Sequence, residues 1–102
     1  MKYFNVELSP IHNKYLVLPN HTKLGLTSTN GSYGVLGARL MNLSYADYLK
    51  MCRDVYGATL IGKNHTYITI LFSTESEANQ LANKLDSQVE LIKKHLKSLN
   101  LK

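Results

Sequence analysis

GATLIGKNHTYITILFSTESE, residues 57–77, holds a helix stop, two strands and a helix start in that order. Gly57 is the residue type that ends a helix in left-handed geometry. Ala58-Thr59-Leu60-Ile61 and Tyr67-Ile68-Thr69-Ile70-Leu71-Phe72 are β-branched and aromatic runs, and Gly62-Lys63-Asn64-His65-Thr66 between them supplies turn residues, so the pair predicts an antiparallel hairpin. Thr74 with Glu77 forms a capping box, in which a hydroxyl and a carboxylate satisfy the free amides at a helix start.

Helices follow on both sides of this stretch. Upstream, Ser44 is an N-cap candidate with Asp47 three residues on, and Tyr45, Tyr48, Leu49, Cys52, Val55 and Tyr56 recur at helical spacing up to Gly57. Downstream, Ala78, Leu81, Ala82, Leu85, Val89, Ile92, Leu96 and Leu99 trace one apolar stripe. Glu75 and Glu77 at its start and Lys93, Lys94 and Lys97 near its end complement the helix dipole. Asp47, Asp54, Asp86 and Glu90 fall on the polar faces.

Further out, YFNVEL at 3–8 alternates, with Phe4, Val6 and Leu8 on the core side, and Pro10 ends it. Tyr15-Leu16-Val17-Leu18 is a second strand closed by Pro19, which indicates an edge position or the strand end. The two predict a hairpin around IHNK. Residues 20–41 are rich in Gly, Ser, Thr and Asn and read as a connecting loop, or as a hairpin turning on Asn30-Gly31. The order is therefore β-β-loop-α-β-β-α: an α+β fold with an antiparallel sheet of about four strands and two helices packed on one face. At 102 residues the whole chain, 1–102, is expected to be a single domain with enough core to need neither metal nor disulfide.

Cys52 is the only cysteine, which excludes an internal disulfide and a cysteine-based zinc cluster and points to a reducing, cytoplasmic compartment. The opening MKYFNVELSP alternates rather than forming an apolar run, so no secretory signal or membrane span is expected. Asn-X-Ser/Thr tripeptides at 20, 30, 42 and 64 then read as turn chemistry, not glycan acceptors. The net charge of +5 favours acidic partners. It is spread along the chain: three basic against one acidic over 1–30, four against two over 31–73, and five against four over 74–102.

Gly31, Gly34 and Gly37 in NGSYGVLGARLM do not match a phosphate loop, because Gly37 is followed by Ala38-Arg39 in place of Lys-Ser or Lys-Thr. The dinucleotide fingerprint fails on spacing. The GxxG of KH-type RNA-binding domains is matched literally, but such a loop joins two helices, and the text here predicts a connector. The RNA-recognition fold shares part of the element order, yet TYITILF lacks its Lys-Gly-aromatic core. His12, His21, His65 and His95 have no metal-ligand spacing, and Cys52 lies on an apolar helix face, where a thiol packs as a small hydrophobe.

What emerges is a small basic regulatory module without catalytic residues, metal or cofactor, engaging nucleic acid or a nucleoprotein. Arg39, Lys63, His65, Lys93, Lys94 and Lys97 are the candidate phosphate contacts, and Tyr33, between glycines, is the candidate exposed stacking anchor. The alternative is a protein-binding inhibitor or adaptor of the kind encoded by phages and mobile elements, blocking a larger host machine through the glycine-rich loop. Self-association is a further expectation, through Tyr15–Leu18 as an edge strand or the far end of the last helix.

Overall fold

The computed structural model describes the backbone of residues 2–25, 33–64 and 67–98, and the side chains of all of these but 63, 64, 67 and 94–98. Two hairpins make a four-stranded antiparallel sheet, β1 (Phe4–Ser9), β2 (Lys14–Pro19), β3 (Ala58–Asn64) and β4 (Tyr67–Phe72), in the spatial order β1-β2-β4-β3. Helices α1 (His21–Leu24), α2 (Tyr33–Leu40) and α3 (Tyr45–Tyr56) lie between the hairpins in sequence, and α4 (Glu75–Ser98) closes the described chain. The α+β class and the antiparallel four-stranded sheet agree with the sequence, and the element order becomes β-β-α-α-α-β-β-α.

Register sorts the strand residues into two faces. Phe4 pairs with Pro19 and Val6 with Val17 in the first hairpin, and Ala58 with Phe72 and Leu60 with Ile70 in the second. These residues face the helices. Phe4, Val17, Ala58, Ile70 and Phe72 join Tyr48, Leu49 and Cys52 of α3 and Ala78, Leu81, Ala82, Leu85 and Val89 of α4 in one buried cluster. Each large side chain so enclosed contributes roughly 1.5–3 kcal/mol, and this sum holds the layers together. Among the described residues one register pair joins the hairpins, Tyr15 of β2 with Phe72 of β4.

The expected signals act as predicted at both long helices. Ser44 Oγ accepts from Asp47 N at 3.1 Å, and Gly57, at φ 64°, ends α3 with its amide on the Cys52 carbonyl. At α4 the capping box is complete: Thr74 N and Oγ1 both donate to Glu77 Oε1, and Glu77 N donates to Thr74 Oγ1.

Five expectations are corrected. Residues 20–41 are not a connecting loop throughout, since they contain α1 and α2. Asn20 caps α1 by accepting from Lys23 N at 3.1 Å, and Gly25 ends it at φ 70°; four residues between two caps are too few to show periodicity. The Asn30-Gly31 turn lies outside the described residues. Second, β2 is interior, so Tyr15–Leu18 is no free edge; Pro19 is tolerated because it is the last residue of the strand. Third, Leu8 is 52% exposed, because burial fades along β1 from Phe4 onward and the helices cover only its first half. Fourth, Val55 is 67% exposed, and Ile92 of the α4 stripe is 39% exposed, while the Leu96 side chain and Leu99 lie outside the described residues. Fifth, Asp86 is buried rather than on a polar face: its Oδ1 accepts from Tyr3 N at 2.8 Å and Phe4 N at 3.0 Å, tying α4 to the start of β1.

Candidate functional site

Tyr33 is half-buried and packs against the core, and is not an exposed stacking anchor. Its ring meets Phe4 edge-on at 6.5 Å and Tyr48 at 6.1 Å, and its hydroxyl is buried. Being the first residue of α2, it turns inward once the helix forms, which the flanking glycines concealed. Gly34 and Gly37 sit one helical turn apart inside α2, so they are not the loop of a KH domain. They are contact points. A Cβ on Gly34 would come 2.8 Å from Tyr45 Cε1, and one on Gly37 would overlap Tyr48 Oη and Cζ. Two tyrosine rings of α3 thus lie directly on the α2 backbone, an approach that only residues without a Cβ permit.

The interior beneath this contact brings together Tyr33, Tyr48 and Cys52. Burial raises the Tyr33 and Tyr48 hydroxyls well above the ordinary phenol range, with Cys52 nearby adding to both shifts. Burial also pushes the Cys52 thiol up to about 11, so it is protonated at neutral pH. Among the described residues no three His, Cys, Asp or Glu side chains gather as a metal site would require. No helix among the described residues is long and apolar enough to cross a membrane.

Three surface regions carry binding chemistry. The first surrounds the chain start. Lys23 Nζ donates to the Lys2 carbonyl at 3.3 Å, and Lys93 Nζ lies 4.7 Å from the centre of the Tyr3 ring, so α1, the lead into β1 and α4 bring three exposed lysines around Lys2-Tyr3. Among the described residues the one ion pair is Arg53 with Asp54 at 3.3 Å, and none of these lysines is neutralised by a carboxylate.

The second region is a cleft of about 320 Å³ lined by Val35, Ala38, Arg39, Asn42, Leu43 and Tyr45. Val35 and Arg39 are exposed on α2, and Ala38 between them is buried at the cleft floor. Past the helix end Asn42 adopts φ 57°, its amide donates to the Arg39 carbonyl at 3.1 Å, and Leu43 N donates to the Ala38 carbonyl at 2.9 Å. This is a Schellman motif with asparagine in the left-handed place, and it folds Leu43 back toward Ala38.

The third is the sheet face away from the helices. Leu16, Leu18, Leu71, Thr69, Thr59 and Ile61 alternate with the core residues of β2, β4 and β3, giving an aliphatic centre, and Leu71 is fully buried there although it lies outside the helical core.

Of the expected contact residues whose side chains are described, Lys93 joins the lysine group. Arg39 belongs to the cleft. Lys94 and Lys97 lie on α4 and Lys63 on β3, with side chains outside the described residues, as is His65 altogether. The sequence reading passed over Lys2, Lys23 and the cleft residues Val35, Asn42, Leu43 and Tyr45. Asn42 followed by an apolar residue was the available signal, a helix end waiting for a helix. No family model, curated protein or solved structure matches the chain.

Proposed function

We propose that the chain is a non-catalytic binding module that engages nucleic acid, alone or in a nucleoprotein, through the end formed by Lys2, Lys23 and Lys93. The observation that supports this is the meeting of three lysines from separate elements, none paired with a carboxylate, around Lys2-Tyr3. Ammonium groups left unpaired in this way are available to phosphates, and each phosphate neutralised releases condensed counterions. Lys94, Lys97, Lys63 and His65 belong to the proposed contact set by sequence position, and Tyr33 does not, being packed against the core.

The test is fluorescence anisotropy with a labelled 20-mer, single-stranded and duplex, between about 50 and 200 mM salt. Affinity is expected to fall linearly on a double-logarithmic plot, and the triple variant K2Q/K23Q/K93Q is expected to lower the slope by roughly 2 to 3. A slope near zero, or a triple variant that binds like the parent, overturns the proposal.

The inhibitor or adaptor reading has its own support in the aliphatic centre of the sheet face away from the helices. A partner retained from nuclease-treated lysate by the parent and lost by Ile61→Glu favours it. A partner released by nuclease counts against it.

A further inference from the structure

We infer that the cleft between α2 and α3 receives a short acidic segment of a protein partner, seating an aliphatic side chain against Val35, Ala38 and Leu43 and a neighbouring carboxylate on Arg39. The site shares no residue with the lysine end or the open sheet face, and it stands whichever of them is used.

Its chemistry is selective. Arg39 is the only charged residue in the lining, it is exposed, and no carboxylate of the described residues pairs with it. A guanidinium offers two parallel donors that match the two oxygens of a carboxylate. Asn42 adds an amide beside it, and the remaining walls are apolar except for the Tyr45 hydroxyl. A cleft of about 320 Å³ falls at the small end of ligand-binding pockets, room for one or two side chains rather than a folded element.

Its walls are also held in place. Tyr45 is seated on Gly34, and Leu43 is fixed by the hydrogen bond its amide donates to the Ala38 carbonyl, so a ligand meets a surface already shaped. A nucleic acid is the poorer occupant here, because its phosphates repeat and would meet one guanidinium beside aliphatic walls. A leucine next to a glutamate or aspartate satisfies both halves of the cleft at once. Net charge of +5 on the chain favours the approach of such an acidic segment.

The experiment titrates the full-length ¹⁵N-labelled chain with acetyl-Leu-Glu-amide, with acetyl-Leu-Gln-amide, and separately with a short oligothymidylate. Amide shifts are expected at Val35, Arg39, Asn42, Leu43 and Tyr45 with the glutamate peptide. The glutamine peptide should bind about tenfold more weakly, and Arg39→Gln should remove that difference. Leu43→Ser should weaken both peptides, and the dispersion of each variant's spectrum reports that it is folded. Equal binding of the two peptides, unchanged discrimination in Arg39→Gln, no saturable shift, or shifts located elsewhere overturns the inference. So does oligothymidylate moving the cleft residues while the peptide leaves them still; oligothymidylate shifts confined to Lys2, Lys23 and Lys93 bear only on the nucleic-acid reading.

Discussion

Helices α4 and α2 are built by opposite means. α4 starts in a complete capping box, has Glu75 and Glu77 in its first turn and lays Ala78, Leu81, Leu85 and Val89 along one buried stripe. Every one of these is a local property of its own residues. α2 has eight residues, no acidic side chain in its first turn, and two glycines that each lower helix propensity by about 1 kcal/mol against alanine. It stands because those glycines let Tyr45 and Tyr48 lie on its backbone. One residue type therefore subtracts from the local helix and supplies the fit that stabilises it.

This contrast can be broken most forcefully at Asp86, where α4 holds the start of β1 by hydrogen bonds. Asp86→Ala leaves the buried amides of Tyr3 and Phe4 without an acceptor and is expected to lower stability by about 3–4 kcal/mol in urea unfolding. Asp86→Asn keeps the Oδ1 acceptor and should lose about half as much. Equal losses in the two would mean that the charge, not the acceptor, holds β1.

Gly37→Ala sharpens the difference by its sign. On an independent helix the change stabilises by about 1 kcal/mol. Here a loss of about 2–3 kcal/mol is expected, since the new Cβ overlaps the Tyr48 ring. Adding Tyr48→Phe removes the overlapping hydroxyl and should restore part of the loss in a double-mutant cycle. A stabilised single variant would show that α2 is not seated on Tyr48. The smallest effect belongs to the local device: Thr74→Ala should cost about 1 kcal/mol by thermal or urea melts, because it deletes the cap and leaves the α4 stripe intact.

Legibility in the sequence follows the same division. The stop at Gly57, the start at Thr74, the paired runs of β3 and β4 and the stripe of α4 rest on neighbours within a few residues, so period and cap chemistry expose them. α2 does not, for its apolar spacing is interrupted by Gly34 and Gly37, and the tyrosines that explain those glycines come from another helix. Tyr33 and Asp86 were misplaced for one reason: their partners, Phe4 with Tyr48 and the amides of Tyr3 and Phe4, are far away in the chain. The lysine group was half visible, as charge without address. Lys93 was in view, but only folding brings Lys2 and Lys23 beside it. The cleft was not visible at all, because its shape depends on the left-handed turn at Asn42.

The one register pair that joins the hairpins among the described residues, Tyr15 with Phe72, gives the molecule a line of parting. Each hairpin is knit more closely within itself than to the other, and α4 on β1 and β2, with α3 on β3, helps to keep the halves side by side. Loosening the helical layer would thus let the sheet come apart down its middle instead of fraying from its rims, with the amides on the inner margins of β2 and β4 exchanging with solvent before those inside either hairpin.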